Sequence, residues 1–498
     1  MSVNSINNIP NAMIQSLINM RSQFTDLQQQ LSSGQKSTTY AGLGATSGLS
    51  VSLNAQLSAV SGYDNSINMA MTHANLVQNA LTSMGTVGST IQSMLAQGNT
   101  GGGNGNTDQL TARSSLQQVL GLLNTQSADG YLFSGSAPDQ PAVETYDHIM
   151  NGNGGQAGLT QIISERNQAD LGSDGLGRLA VTAPTSTSVS VAEGAASPFG
   201  FKIASVSSAL TNATVAGPGG PPASVSVDFS GLPNDGDAIT LRLNMPDGTS
   251  TNLTLTATTK SPAGPNQFTI GATRAATAAS FQGALTTALG GLAGSSLKAA
   301  STMVASNDFF DADANNPPQR VNGPPFDSAT STTAGTAANT VIWYTGDAGT
   351  GSARSTASAR VDPNLVVSYG TRANETAIKN LVQNVATLAA VTVSPTDPNG
   401  ANLSTELGQR LGTSLAGPPG VQTMSDIETE LAGAQTTMNA SQSSHQQTTA
   451  TLTNMQQQIT GVSNEQVGSE LLALQNQMAA AMQTTALLYQ TSLVNYLK

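Results

Sequence analysis

The chain contains no cysteine, which excludes a disulfide framework, a thiolate nucleophile and any Cys-ligated metal. Charge and aromatic rings are scarce too: 9% of residues are charged and 4% aromatic, both low for an ordinary globular enzyme. The 17 basic and 29 acidic side chains give a net charge of −12, and no Lys/Arg run occurs. Phosphate binding needs a clustered basic face, so nucleic acid is excluded as a partner. No stretch approaches the roughly 18 apolar residues of a membrane span, so membrane insertion is not expected. Residues 1–20 carry no charged side chain and no continuous apolar run, unlike a cleaved secretory signal.

Gln, Asn, Ser, Thr, Ala and Gly fill the gap. Such a surface is polar without charge, which suits packing against copies of the same chain. A length of 498 residues accommodates roughly two to four domains.

The two ends read as helical. Met13, Leu17, Met20, Phe24, Leu27 and Leu31 alternate steps of four and three, the spacing of a coiled-coil seam. Gly34 then offers a helix stop, because glycine takes the left-handed cap at little cost. A second seam runs through Leu53, Leu57, Val60, Ile67, Met71, Ala74 and Leu81, with Asp64 and Gln78 as polar interruptions. A third helix is expected around Leu116, Leu120 and Leu123. Toward the C-terminus, Met424, Ile427, Leu431, Ala434, Met438, Ser441, His445, Thr448, Leu452, Met455, Ile459 and Val462 keep the alternation. As one helix this stretch would be roughly 60 Å long, a rod rather than part of a globule. Val467, Leu471, Leu474, Met478, Ala481 and Leu488 repeat the device. One such stripe is ordinary in a globular core; several bracketing both ends point to paired terminal helices.

Between about 181 and 340 the period changes to two. Val225, Val227 and Phe229 alternate with polar residues, as do Ile239, Leu241, Leu243 and Met245; Leu253 and Leu255 follow the turn Pro246-Asp247-Gly248. This pattern predicts antiparallel strands with one wet face. A short helix is expected around Phe281, Leu285 and Leu289, and the Thr/Ser/Gly stretch 328–340 reads as a linker.

No catalytic constellation and no cofactor site emerges. His73, His148 and His445 have no metal-ligand spacing, and Asp147-His148 lies in a polar, loop-like stretch. His445 sits on a seam, where a polar register element is the ordinary reading. Gly101-Gly102-Gly103 lacks the Lys and Ser/Thr of a phosphate loop. Asp308, Asp311 and Asp313 lack the glycine and terminal glutamate of a calcium loop.

Leu27-Gln28-Gln29-Gln30-Leu31-Ser32-Ser33-Gly34-Gln35-Lys36 is similar to the signature that opens bacterial flagellins and hook-associated proteins. Val462-Ser463-Asn464-Glu465-Gln466 through Tyr496-Leu497-Lys498 resembles their C-terminal helix. Asp129-Gly130-Tyr131-Leu132-Phe133-Ser134-Gly135 is similar to a segment of the hook–filament junction type, and Val367 through Glu375 is also similar to such proteins. After Lys36, filament flagellins usually continue with paired Asp residues, whereas this chain reads Ser37-Thr38-Thr39-Tyr40.

The resemblance implies a multidomain α plus β protein. Paired N- and C-terminal arms form a long helical bundle or coiled coil, and a β-rich middle domain is inserted. The expected divisions are 1–45 and 463–498 for the inner arms, 46–180 and 341–462 for a helical rod, and 181–340 for the outer insert. It further implies a non-enzymatic, secreted subunit at the extracellular hook–filament region, exported by the flagellar type III route. Copies of itself, other hook-associated proteins, flagellin and an export chaperone are the implied partners. A filament flagellin, an unrelated secreted coiled-coil fibre and a secreted enzyme with helical anchors are the competing readings.

Overall fold

The computed structural model describes residues 8–97, 105–128, 130–313, 316–394 and 396–496. The Gly101-Gly102-Gly103 joint, Asp129 and Leu497-Lys498 lie outside the described residues. The chain divides into two compact units. One draws on the described parts of Met1–Met71, Ala359–Val367 and Gln435–Lys498, the other on Thr72–Ser358 and Ser368–Ala434.

Eleven helices are described: α1 (Asn8–Ser33), α2 (Ser47–Gln97), α3 (Gly105–Leu123), α4 (Tyr146–Asn151), α5 (Leu159–Leu171), α6 (Arg274–Leu292), α7 (Lys298–Phe310), α8 (Thr376–Ala390), α9 (Gly400–Ala416), α10 (Met424–Thr460) and α11 (Asn464–Tyr496). None is long and apolar enough to cross a membrane. The boundaries of the long helices have local causes. Gly34 takes φ +67°, and its N–H donates back to the Gln30 carbonyl at 2.8 Å, closing α1. Thr423 and Asp426 cap α10 reciprocally: the Asp426 carboxylate accepts from the Thr423 N–H at 2.7 Å, and the Asp426 N–H donates to the Thr423 hydroxyl at 3.2 Å. The Thr423 N–H, with the Thr423 hydroxyl donating to the same carboxylate at 2.8 Å, holds the Asp426 carboxyl below its ordinary pKa. Gly461 ends α10, and the Ser463 hydroxyl accepts from the Gln466 N–H at 3.3 Å to start α11.

The second unit holds two large hydrophobic cores among the described residues, besides a small cluster of Ala169, Phe199, Val321 and Ala329. One is helical: Val77, Leu81, Met84 and Ile91 of α2 meet Leu116, Val119 and Leu123 of α3, Val382 and Val385 of α8, and Ile427 and Leu431 of α10. Trp343 is buried there, donating its indole N–H to the Phe310 carbonyl at 3.0 Å.

The other core fills the β-rich insert. The strands β1 (Gln126–Ser127) and β2 (Gly130–Tyr131) form a small ladder ahead of it. Within it lie β3 (Leu179–Thr185), β4 (Ser188–Glu193), β5 (Lys202–Ser208), β6 (Ala213–Gly219), β7 (Ser224–Phe229), β8 (Ala238–Asn244), β9 (Ser250–Thr258) and β10 (Gln267–Thr269). They make two four-stranded sheets, ordered β3-β4-β7-β6 and β10-β9-β8-β5. The period-two residues Val225, Val227 and Phe229 on one sheet and Ile239, Leu241, Leu253 and Leu255 on the other share one core with α6. Phe229, Phe268 and Phe281 pack edge to face there at centroid distances of 5.2–6.2 Å. The Asp247-Gly248 turn joins β8 to β9, as the alternation around it predicts. All four sheet edges are interrupted. β3 and β6 contain Pro184 and Pro218 and each has a register shift; β5 opens on Lys202 and is also shifted; β10 has only three residues.

The linker expectation fails. Residues 328–340 are not a free linker, because Thr332–Ala334 pairs antiparallel with Gln319–Val321. Arg320 anchors this hairpin, donating from Nε to the buried Glu165 carboxylate at 2.9 Å and from Nη1 to the Asn339 carbonyl at 3.0 Å. Thr340 is fully buried. A low-complexity sequence is ordered here by partners distant along the chain.

Candidate assembly surface

In the first unit α1 packs against α11. Two backbone bonds join the turn after α1 to the break between α10 and α11: Lys36 N–H donates to the Thr460 carbonyl at 2.7 Å, and Val462 N–H to the Gly34 carbonyl at 3.1 Å. The glycine of the first signature therefore turns the chain where it meets the last helix. Met13, Leu17, Met20, Phe24 and Leu27 are half-buried on α1, while Leu31 and Ser32 are exposed. On α11, Leu474 is buried and Leu471 and Met478 are half-buried. The outside of this pair is apolar as well: Ile14 and Ile18 on α1, and Leu472, Met482 and Leu487 on α11, are exposed. No charged side chain follows Glu470 on α11.

In the same unit α2 and the second half of α10 run antiparallel. Gln456 donates to the Ser50 hydroxyl at 2.7 Å, and Gln442 to the Asn68 amide oxygen at 3.1 Å. Between these rungs His445 Nδ1 meets Asp64 Oδ1 at 2.7 Å, so the two polar interruptions of the seams face each other. Met438 and Leu452 are buried, and Ile459 is half-buried. The strict heptad reading places Thr448 and Met455 inside; both are exposed, and Thr449 and Gln456 turn inward instead. An α-helix has about 3.6 residues per turn against 3.5 in a heptad, so a seam over a long helix drifts until one extra residue is inserted. The shift occurs after His445. In the second unit, Ile427 and Leu431 are buried and Met424 is half-buried.

The two segments similar to the junction type, more than 230 residues apart, clasp one another in the second unit. Ala373 N–H donates to the Phe133 carbonyl at 2.9 Å, Gly135 N–H to the Thr371 carbonyl at 3.1 Å, and the Thr371 hydroxyl to the Leu132 carbonyl at 2.6 Å. Leu132 and Phe133 are buried and Tyr131 is half-buried. Gly135 has φ +65°, and a Cβ there would stand 2.9 Å from Arg372 Cγ and from Asp347 Cβ. Gly135→Ala therefore combines backbone strain with a clash, and we expect a loss of about 1–3 kcal/mol in denaturant unfolding.

Arg354, which no sequence pattern singled out, and Arg372, within the Val367–Glu375 segment, bind this clasp to its surroundings. Arg372 donates to the carbonyls of Gly349 and Gly351. Arg354 pairs with Glu375 and reaches Glu430 at 3.2 Å. Both lie beside a polar cleft of about 330 Å³, lined also by Asn374 and Gln422. The isolated candidates are placed elsewhere. His148 pairs with Glu144 at 3.0 Å, one helical turn away, rather than with Asp147. His73 stacks edge-on against Tyr369 at 5.2 Å. Asp311 pairs with Lys379, and burial raises the Asp308 pKa. No cluster of metal-ligating side chains occurs among the described residues.

No curated protein matches the chain. Residues 4–137, which include the seam of α1, all of α2 and the turn through Gly135, match the model of the bacterial flagellin N-terminal helical region, and this match supports the flagellin family for the chain.

Proposed function

We propose that this chain is a structural subunit of the bacterial flagellum that joins hook to filament and templates filament assembly. The flagellin family is structural and non-enzymatic, and it self-assembles into extracellular flagellar polymers. The observation that carries the subunit reading is the α1/α11 pair, which has a packed seam inside and exposed Ile18 and Leu472 outside. Apolar residues on both faces of a two-helix arm call for neighbours that cover the outer one. In this reading the seam residues of α1 and α11 pack the inner arms, 1–45 and 463–498, those of α10 pack within the chain, and 181–340 is the outward insert. The junction role draws on the Tyr131-Leu132-Phe133 segment and on the Ser37-Thr38-Thr39-Tyr40 departure from filament flagellins. In this role the partners are copies of the chain in a ring or helical layer, other hook-associated proteins, flagellin, and an export chaperone on the C-terminal arm.

Gold-labelled antibody against residues 181–340 should mark one narrow band at the distal end of hooks in sheared flagella. Label spread along whole filaments would assign the chain to the filament instead.

A further inference from the structure

The α2/α10 pair of the first unit is almost uncharged. From Ser47 to Met71 the only charged side chain is Asp64, and from Gln435 to Thr460 the only ionisable one is His445. These two meet each other at 2.7 Å. The His445 side chain is 6% exposed, its Nε2 has no hydrogen-bond partner, and the Tyr63 ring lies 6.0 Å from it. We propose that the Asp64–His445 pair is a register lock, the rung that admits one alignment of these antiparallel helices and rejects its neighbours.

The argument rests on what each group would face after a slip. Along an antiparallel pair, moving one heptad brings Asp64 opposite Met438 or Leu452, and His445 opposite Leu57 or Met71. All four are apolar. The slip therefore strands the buried imidazole against hydrocarbon and leaves the carboxylate, 29% exposed, without its partner. Within the Ser47–Met71 and Gln435–Thr460 stretch the remaining side-chain contacts discriminate poorly. Leu53, Leu57, Val60, Ile67 and Met71 offer similar packing to whichever apolar residue arrives. The Asn68–Gln442 and Ser50–Gln456 bonds can be replaced from a sequence rich in Gln, Asn, Ser and Thr. The lock also stands where the seam of α10 changes phase, the point at which apolar spacing specifies alignment least.

The absence of cysteine makes the test direct, because two introduced thiols are the only ones in the chain. Asn68→Cys with Gln442→Cys reports the native register. Asn68→Cys with Thr449→Cys or with Gln435→Cys reports a slip of one heptad either way. In the dilute full-length chain only the native pair should cross-link on mild oxidation. Adding Asp64→Leu and His445→Leu should raise a shifted pair from background to a yield similar to that of the native pair. Helicity should be retained, since the buried imidazole and its partly exposed partner are replaced by residues that favour helix and pack on the seam. The exchanged pair, Asp64→His with His445→Asp, should restore cross-linking of the native pair alone. Shifted pairs that stay at background in the folded leucine variant overturn the proposal. If the leucine variant loses its helicity, the exchanged pair decides: failure to restore the single register overturns it.

Discussion

Deleting the gene for this chain should leave hooks in normal number, abolish swimming and release flagellin into the medium as monomer. A junction layer is needed in few copies, but every subunit beyond it depends on that layer as a starting template. A lone helix with an apolar stripe is marginally stable in water, because most helical stability comes from packing. Flagellin arriving without a template therefore has no surface on which to order its ends. The measurement is extracellular flagellin by sedimentation and blotting, with hooks counted by electron microscopy. Filaments of normal length on the deletion strain would rule out the junction role. Loss of extracellular flagellin without a monomer pool would indicate a filament subunit.

Leu474→Asp should be exported at the parental level yet be absent from sheared flagella. Leu474 is buried on α11, in the arm that packs on α1. Truncating a buried leucine alone costs about 2–5 kcal/mol, and an unpaired carboxylate in the same place adds its desolvation. A two-helix arm has no surplus to absorb that loss. Leu472, two residues earlier, is 62% exposed in the single chain. Leu472→Asp should leave the helicity of the monomer unchanged but still reduce incorporation, because it acts on the contact with neighbouring copies. Normal incorporation of Leu472→Asp would show that the outer face of α11 meets solvent in the polymer.

Much of this architecture can be read from periodicity, since apolar spacing is written locally. The seams of α1, α2 and α11, apart from the exposed Leu31 and Leu488, and the alternation in β7, β8 and β9 follow directly from residues a few positions apart. The phase shift of α10 is harder to see. Thr448 and Thr449 are chemically equivalent in the sequence, and only the accumulated drift of a long helix decides which turns inward. The hairpin at Thr332–Ala334 is invisible for another reason. What orders it is Arg320 on Glu165, an ion pair between residues 155 positions apart. The clasp of Leu132-Phe133 with Thr371-Ala373 is of the same kind: each segment is conspicuous by resemblance, but nothing in either shows that the other is its partner. Asp64 and His445 stood out singly as flaws in two seams; the fold makes them one contact.

The interrupted sheet edges of the insert matter most when many copies stand side by side. A polymer holds its subunits at a fixed spacing, so adjacent inserts meet at an effective concentration that tethering can raise to the millimolar range. Open strand edges at that density would zip neighbour to neighbour and fuse the inserts into a continuous sheet. Pro184, Pro218, Lys202 and the three-residue strand β10 leave no long, regular edge for such pairing. Inserts of this kind can be crowded together and still behave as separate bodies.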